Sequence, residues 1–539
     1  MSESFFGLNV AIRGLFTAQR SLDTVNHNLN NVNTPGYSRQ RAVQVAARPM
    51  ALNDGTGMMG TGSDVVSVDR VRDEYLDFKY WSENITMGEW QAKSEALDDM
   101  EAIFNEPSDS GFTTILNDFY NSLQELGKDP SSAAVRALVK QKGVTVAKYF
   151  NNVAANFEKL QADINYRIKT KVEEVNSYAT QIQQLNRQIY IAELDGNAAN
   201  DLRDQRTLLV DKLSKIVNIE ANEVVAGKLP NGKDDKRFVI TISGKALIDH
   251  FEVSKLAVVQ RSAAQQVNAE DVSGLYQVQW ADGNSLNIKS GELRGYLDVR
   301  DGNEGQTGPN GIASPDYKGI PYYQKKMNEF VRTFAMAFNE GFIDADGDGA
   351  ISAGEDGAGH ADGVGLDGSS GIRFFTFLGS DKQPVDSTTF LNGQITTAGI
   401  YAQYANITAK NFSVSEDVLN DYNTIAAADA SGEVGNINVL NNLLDMRHDP
   451  DMFSEGAPED FMKSLVSTLG IDSQQAANYE SNQKVIVNQI VNRRLSDSGV
   501  SIDEEMTNLV KFQQAYNASA KMIQTMGEIY DTLINKLFV

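Results

Sequence analysis

FFGLNVAIRGLFTAQRSLDTVNHNLN, residues 5–30, opens the chain with a regular pattern. Phe5, Leu8, Ile12, Leu15, Leu22 and Leu29 recur at gaps of three and four, and Gln19 and Asn26 fill the two remaining places of the stripe. Such spacing predicts a helix with a coiled-coil seam. It returns at the other end as Leu509, Phe512, Tyr516, Ser519, Ile523, Met526, Tyr530, Leu533 and Leu537. Both ends are therefore expected to be helices that need a partner, either each other or another copy. In an isolated monomer they should be mobile and become ordered on assembly.

A third stripe runs from Val153 through Phe157, Leu160, Ile164, Ile168, Val172, Val175, Tyr178, Ile182 and Leu185 to Ile189, long enough for a rod. After Asn218 the pattern alternates, as in Arg237–Ser243, and Tyr276–Trp280 is expected to pair with Asn284–Ile288 across Ala281-Asp282-Gly283. Helical spacing resumes from Tyr322 to Phe342, gives way to Gly/Asp-rich and Thr-rich sequence to about residue 410, and returns near Val434. The expected class is multidomain α+β, with a helical-bundle stalk made by both chain ends and central, mainly β excursions that face solvent. The expected divisions are 1–65 with 480–539 as the terminal coiled coil, and 66–220 with 290–342 and 412–479 as a helical rod. Residues 221–289 would form the first excursion and 343–411 the second.

At 539 residues the chain is too long for one core. Its 72 acidic against 48 basic residues give a net charge of -24, which repels polyanions, so nucleic acid is not an expected partner. No apolar run approaches the roughly 18 residues of a spanning helix, and no membrane insertion is expected. Glu3, Gly7 and Asn9 disrupt the pattern of a cleavable secretory signal. There is no cysteine, which excludes disulfides and thiolate chemistry.

The first helix runs into Asn28-Leu-Asn-Asn-Val-Asn-Thr-Pro-Gly-Tyr37, in which Asn31, Asn33 and Thr34 favour local capping and Pro35-Gly36 forces a turn. Physics alone reads a helix end followed by a loop. The string also resembles the flagellar axial proteins, which carry an Asn-rich stretch ending in Thr-Pro-Gly-Tyr after their first helix. Asp201-Leu-Arg-Asp-Gln-Arg-Thr-Leu-Leu-Val-Asp211, Gly291–Asp298 with Arg300-Asp301, and Ser498-Gly-Val-Ser-Ile-Asp-Glu-Glu505 followed by Phe512-Gln-Gln-Ala-Tyr516 are similar to the hook-associated protein 1 family. The resemblance covers about residues 1–220, 290–342 and 430–539. It implies a non-enzymatic structural subunit at the hook-filament junction of the bacterial flagellum. It further implies export through the type III channel with an export chaperone, and self-association in a helical ring. The implied neighbours are hook protein on one side, and a second junction protein and flagellin on the other. The rivals are the hook protein itself and a secreted, calcium-stabilised carbohydrate-binding or adhesive protein.

One chemical motif stands apart from that family. Asp344-Ala-Asp346-Gly-Asp348-Gly-Ala350-Ile-Ser352-Ala-Gly-Glu355 fills each diagnostic position of a twelve-residue calcium loop: carboxylates at 1, 3 and 5, glycine at 6 and glutamate at 12. Asp344, Asp346, Asp348, the Ala350 carbonyl, Ser352 and Glu355 would ligate one Ca²⁺. The Gly-rich exit is too poor a helix former for a paired sensor hand, so a single structural site of about 10⁻⁴ to 10⁻³ M is expected. The four histidines, His27, His250, His360 and His448, show no catalytic partner in sequence, and His360 and His448 are expected to be solvated. No nucleophile elbow, phosphate loop or zinc helix occurs.

Overall fold

The computed structural model describes residues 6–51, 57–104, 111–230, 232, 234–344, 350–352, 355–433 and 435–536. The helices are α1 (Phe6–Asn30), α2 (Glu74–Phe104), α3 (Phe112–Lys128), α4 (Ala133–Leu194), α5 (Asn200–Ile216), α6 (Glu292–Asp301), α7 (Ile320–Glu340), α8 (Ser387–Leu391), α9 (Thr397–Gln403), α10 (Glu416–Asn420), α11 (Asn438–Asp445), α12 (Pro458–Ser498) and α13 (Ile502–Asp531). The class is multidomain α+β.

The spine is α4, whose 62 residues reach about 90 Å at 1.5 Å each. Val153, Phe157, Leu160, Ile164, Ile168, Val172, Val175, Ile182 and Ile189 are buried along it. Farther on, Ala179 and Asn186 take the buried places, while Tyr178 and Leu185 are half-buried. A straight α-helix drifts by about 20° per heptad, so a seven-residue stripe slides off the contact line over such a length. Alongside the spine, α2 and α12 run antiparallel, matched at Asp98–Ser473, at the stacked rings of Trp90 and Tyr479 (4.5 Å), and at Asp77–Arg494 (2.7 Å). Helix α2 is also crossed closely by its other neighbours. A Cβ on Gly88 would lie 2.1 Å from the Lys215 carbonyl, and one on Gly295 2.6 Å from that of Glu89.

Near the N-terminus, β1 (Gln40–Ala46) pairs with β4 (Ser63–Arg70), and β2 (Met50–Ala51) pairs with β3 (Met58–Met59). The first central segment is an antiparallel sheet of β5 (Glu220–Lys228), β6 (Asp234–Ile242), β7 (Lys245–Asp249) and β8 (Glu252–Val253) in that order. It is followed by the pair β9 (Leu256–Gln260) and β10 (Tyr276–Trp280). The expected hairpin is corrected here. The partner of β10 is β9, and the 284–288 stretch returns with one bridge only, Gln279–Ser285. Leu256-Ala-Val-Val-Gln is a better strand than Asn284-Ser-Leu-Asn-Ile, whose two asparagines disfavour the pleat.

The second segment departs from its mainly β, solvent-facing expectation. Its described residues hold the three-residue β11 (Phe375–Phe377), paired with β12 (Phe412–Val414), together with α8 and α9. Phe374 and Phe375 are fully buried against Phe119 and Phe338, with ring centroids 5.3–5.8 Å apart, so the segment closes the end of the rod. Arg373 meets Glu340 in a buried bidentate pair (2.8 and 2.9 Å), and Asn339 of α7 bonds the amides of Phe374 and Phe375.

His360 is fully buried in this packing, contrary to the solvated expectation. Its Nε2 accepts the Ala426 amide (2.9 Å), which leaves the proton on Nδ1, 2.7 Å from the Ile372 carbonyl oxygen. Burial, with the charges of Arg136 and Arg373, pushes its pKa from 6.5 down to about 4. The unfolded chain takes up a proton near pH 6.5 and the folded one only near 4, so stability is complete above 6.5 and falls by about 3 kcal/mol as pH drops to 4. We expect the loss of melting temperature between pH 7 and pH 4.5 to shrink in His360→Gln. Thermal unfolding at the two pH values measures it, and an unchanged loss would refute the assignment.

Candidate assembly site at the joint of the chain ends

Helix α1 stops at Asn30 because its last turn is drawn off into side-chain bonds. Asn31 donates to the His27 carbonyl (2.9 Å) and accepts from Thr34 Oγ1 (3.1 Å). The turn closes at Gly36 (φ 80°), where a Cβ would press on Leu208 of α5 at 3.2 Å. Asn33, Thr34 and Pro35 are exposed at the tip and wall a groove of about 700 Å³ with Leu208, Leu495 and Val500.

Asn28, one residue inside the motif and 1% exposed, uses its whole amide. Oδ1 accepts the Gln40 amide (2.9 Å) and the Tyr37 hydroxyl (2.8 Å), while Nδ2 donates to the Gln40 carbonyl (2.9 Å) and to Glu505 Oε2 (3.2 Å). Glu505 is the one buried residue of α13 among those described. Its other oxygen accepts Arg39 Nε (2.7 Å), and Arg39 also reaches Glu504 (2.8 Å) and gives its amide to the Ser498 carbonyl (2.8 Å). Burial, with the charges of Asp201, Asp204 and Glu505, raises the Tyr37 phenol far above its usual pKa, which keeps it a donor.

Four further carboxylates extend the joint into the rod. Asp204 of α5 accepts the amide and hydroxyl of Ser38 (2.8 Å each) and Arg70 (2.8 Å). Asp77 is held bidentately by Arg72 (2.7 and 2.9 Å) and by Arg494 (2.7 Å), and Arg494 continues to Asp211 (3.1 Å), which also accepts the Trp81 indole (2.6 Å). Burial would lower the Arg72 pKa, but the bond and charge of Asp77 outweigh it and raise it. Asp201 accepts Gln40 (2.6 Å) and sits 3.3 Å from His27 Nε2. The joint thus unites three of the stretches singled out in sequence, 28–37, 201–211 and 498–505, with Asp77 and Arg494, which no motif signalled.

The seams meet at α1 and α13, which pack on one another. Leu8, Ile12, Leu15, Leu22 and Leu29 are half-buried, and the buried line on α1 is Ala11, Thr17, Ala18, Ser21, Thr24, Val25 and Asn28. Small residues set the spacing: a Cβ on Gly7 would lie 2.7 Å from Met526, and one on Gly14 3.0 Å from Ser519. On α13, Leu509, Phe512, Tyr516, Ile523, Met526 and Tyr530 are half-buried; Leu533, just past its end, is exposed, and Phe5 and Leu537 lie outside the described residues.

Of the calcium motif, Asp346 and Asp348 lie outside the described residues. Asp344 accepts the Tyr401 hydroxyl (3.0 Å), Ala350 is exposed, and Glu355 accepts the amide and hydroxyl of Ser352 (2.8 and 2.7 Å). Among the described residues no cluster of three or more His, Asp or Glu is placed to hold a metal.

A protein whose two ends interlock through buried charges, yet leave helical seams half open, is one made for assembly. Comparison with known proteins gives the particular kind. The helical domain model of the flagellar hook-associated protein FlgK matches residues 97–350, the flagellar basal body rod model residues 8–37, and the rod C-terminal model residues 491–537. The flagellar hook-associated protein 1 of Bacillus subtilis is 32% identical over 100% of this chain and 99% of its own, and that of Escherichia coli 28% over 98% and 99%. The flagellar hook junction protein FlgK from Burkholderia pseudomallei shares the fold, with TM-score 0.55 and 13% identity over 80% of this chain and all of that one. This chain belongs to the flagellar hook-associated protein 1 family. It is a structural component of the bacterial flagellum and not an enzyme, and the hook-protein and adhesin readings fall away.

Truncating Asn28 to Ala strands the Gln40 amide and the Tyr37 hydroxyl and removes a donor from a buried carboxylate. We expect Asn28→Ala to destabilise the joint by about 2–3 kcal/mol, read as faster hydrogen exchange at Gln40 and in the first turns of α13, with α4 unaffected.

Proposed function

We propose that this chain forms the junction between hook and filament as a ring of identical subunits, each contributing α1 and α13 to a shared inner layer. The observation that carries the reading is on α13. One face rests on α1, while Ile502, Met506, Val510, Met522 and Ile529 remain 45–54% exposed, joined by Phe16 of α1 at 59%. Apolar rows of this kind on a long helix mark a protein contact, and in a ring the neighbouring copies cover them. Residues 1–65 with 480–539 would act as the inner unit, and the α4 rod, with 66–220, 290–342 and 412–479, as the load-bearing one. Residues 221–289 and 343–411 are proposed as attached units. Hook protein, a second junction protein on the flagellin side and an export chaperone are the proposed partners, reached by type III export. The 344–355 loop is proposed to hold one structural Ca²⁺.

Deletion of residues 500–539 should leave the rod folded by circular dichroism yet abolish the joint, with flagellin shed into the medium. Normal motility would contradict the reading. Met506→Glu with Val510→Glu should give the same phenotype with α1 still packed on α13. For the calcium loop, calorimetry should register binding by the parent chain that is lost in Glu355→Gln, and identical traces would end that proposal.

A further inference from the structure

A cavity of about 320 Å³ opens where three parts of the chain meet: α4, the loop between β9 and β10, and α7 with the turn before β12. Its volume falls at the lower end of the range of ligand pockets, about 300–1,000 Å³. Phe157 and Met327 form an apolar wall. Some of its charges are already used: Glu158 is paired with Lys410 (2.6 Å), and Asp271 accepts the amides of Val267 and Asn268 (3.2 and 3.0 Å).

Three polar groups are left over. Gln324 is 7% exposed and its Oε1 has no hydrogen-bond partner. A buried acceptor of this kind costs about 1–3 kcal/mol unless something donates to it. Glu270 is half-buried, bonds its own amide and has no ion-pair partner among the described residues; desolvation raises its pKa against the pull of its amide and of the Lys325 and Arg332 charges. Arg332 spends Nε on the Ile407 carbonyl (2.8 Å) and has no carboxylate at ion-pair distance among the described residues; burial lowers its pKa against the more distant charges of Glu270 and Glu329. The unused inventory is therefore two acceptors, one of them anionic, and one guanidinium fork, beside an apolar wall.

We propose that this cavity binds a small zwitterion, a primary ammonium and a carboxylate on a compact apolar body, as in a free aliphatic amino acid. The ammonium bonds Glu270 and Gln324 Oε1, the carboxylate takes the open end of Arg332, and Phe157 with Met327 covers the side chain. Glu270 belongs to the first central segment, and Gln324 and Arg332 to the rod. A bound ligand thus pins that segment to the spine, a role beyond the assembly function.

Calorimetry on the full chain with L-leucine tests this, with isoamylamine and 4-methylpentanoate as analogues lacking one charge each. Leucine should bind at millimolar concentration or better, and each analogue should lose at least about tenfold. Glu270→Gln and Arg332→Gln should each lose a similar factor with an unchanged circular dichroism spectrum, and the analogue series on the parent chain stands if a variant fails to fold. The proposal is overturned if neither leucine nor any other proteinogenic amino acid gives heat at millimolar concentration, if an analogue binds as tightly as leucine, or if both folded variants bind unchanged.

Discussion

A carboxylate kept out of water constrains the rest of this structure. Glu505 is buried on a helix that is otherwise half or fully exposed, and a buried charge is tolerated only when it is paired and bonded. Its donors, Asn28 and Arg39, come from the other end of the chain, with Asn28 477 residues away in sequence. Helix α13 can settle only where those two groups arrive. Apolar seams alone would let the two helices slide by a heptad, because their knobs are similar from turn to turn. The charge removes that freedom. Through Ser38, Arg70 and Arg72 the same constraint passes to Asp204 and Asp77, so the terminal pair is oriented against the rod by ionic bonds and not by a large apolar face.

A different device holds the central segments. Along α4, Asn151, Gln161, Asn165, Asn176, Gln183 and Asn186 each bond main-chain groups of a neighbouring loop or strand. Asn176 takes both the amide and the carbonyl of Leu256 (2.8 Å each), and Asn165 Oδ1 accepts both the Tyr276 amide and Arg300 (2.8 Å each). Asn151 bonds the Ala409 and Phe412 carbonyls, Gln161 the Val272 amide, Gln183 the Phe251 carbonyl and Asn186 that of His250. A carboxamide offers a donor and an acceptor at once, which matches an unpaired peptide edge. Irregular backbone packed on a long helix would otherwise be left unsatisfied. The apolar stripe decides which face of α4 is covered, and the amides decide what covers it and at what height.

That division explains what could be read in advance. The stripes of α4 and α13 were legible because a three-four spacing of large apolar residues is a statement about one helix. The covered line of α1 was not, since Ala11, Ala18 and Ser21 are too small to stand out and are buried only because α13 and the β1–β4 pair come close. Asn28 was visible as part of a string, yet nothing local distinguishes an asparagine that ends a helix from one that clasps a glutamate at the far end of the chain. Asp77 and Arg494 carried no signal, because a salt bridge across two long helices is defined by their register. The second central segment misled for a related reason: its Gly- and Thr-rich sequence describes loops and strands equally well. The decision lay with Phe374 and Phe375, which had aromatic partners on α3 and α7 waiting for them.

The same chain shows two ways of finishing a fold. The rod's core runs unbroken from Trp81 to Ala476 in one molecule, and Lys93, Lys171 and Arg300 are answered by its own Asp298, Glu292 and Asp301. The ends are anchored at the joint, where α1 and α13 leave the rod. Beyond it α13 packs on α1, and many of its apolar side chains stay half in water. A helix pair in that condition keeps its register at one anchored end and remains free to choose company along the rest. Placing the ionic anchor where the ends meet the rod therefore separates two demands that conflict in one surface. Orientation is set within the subunit, and adhesion is left for neighbours to supply.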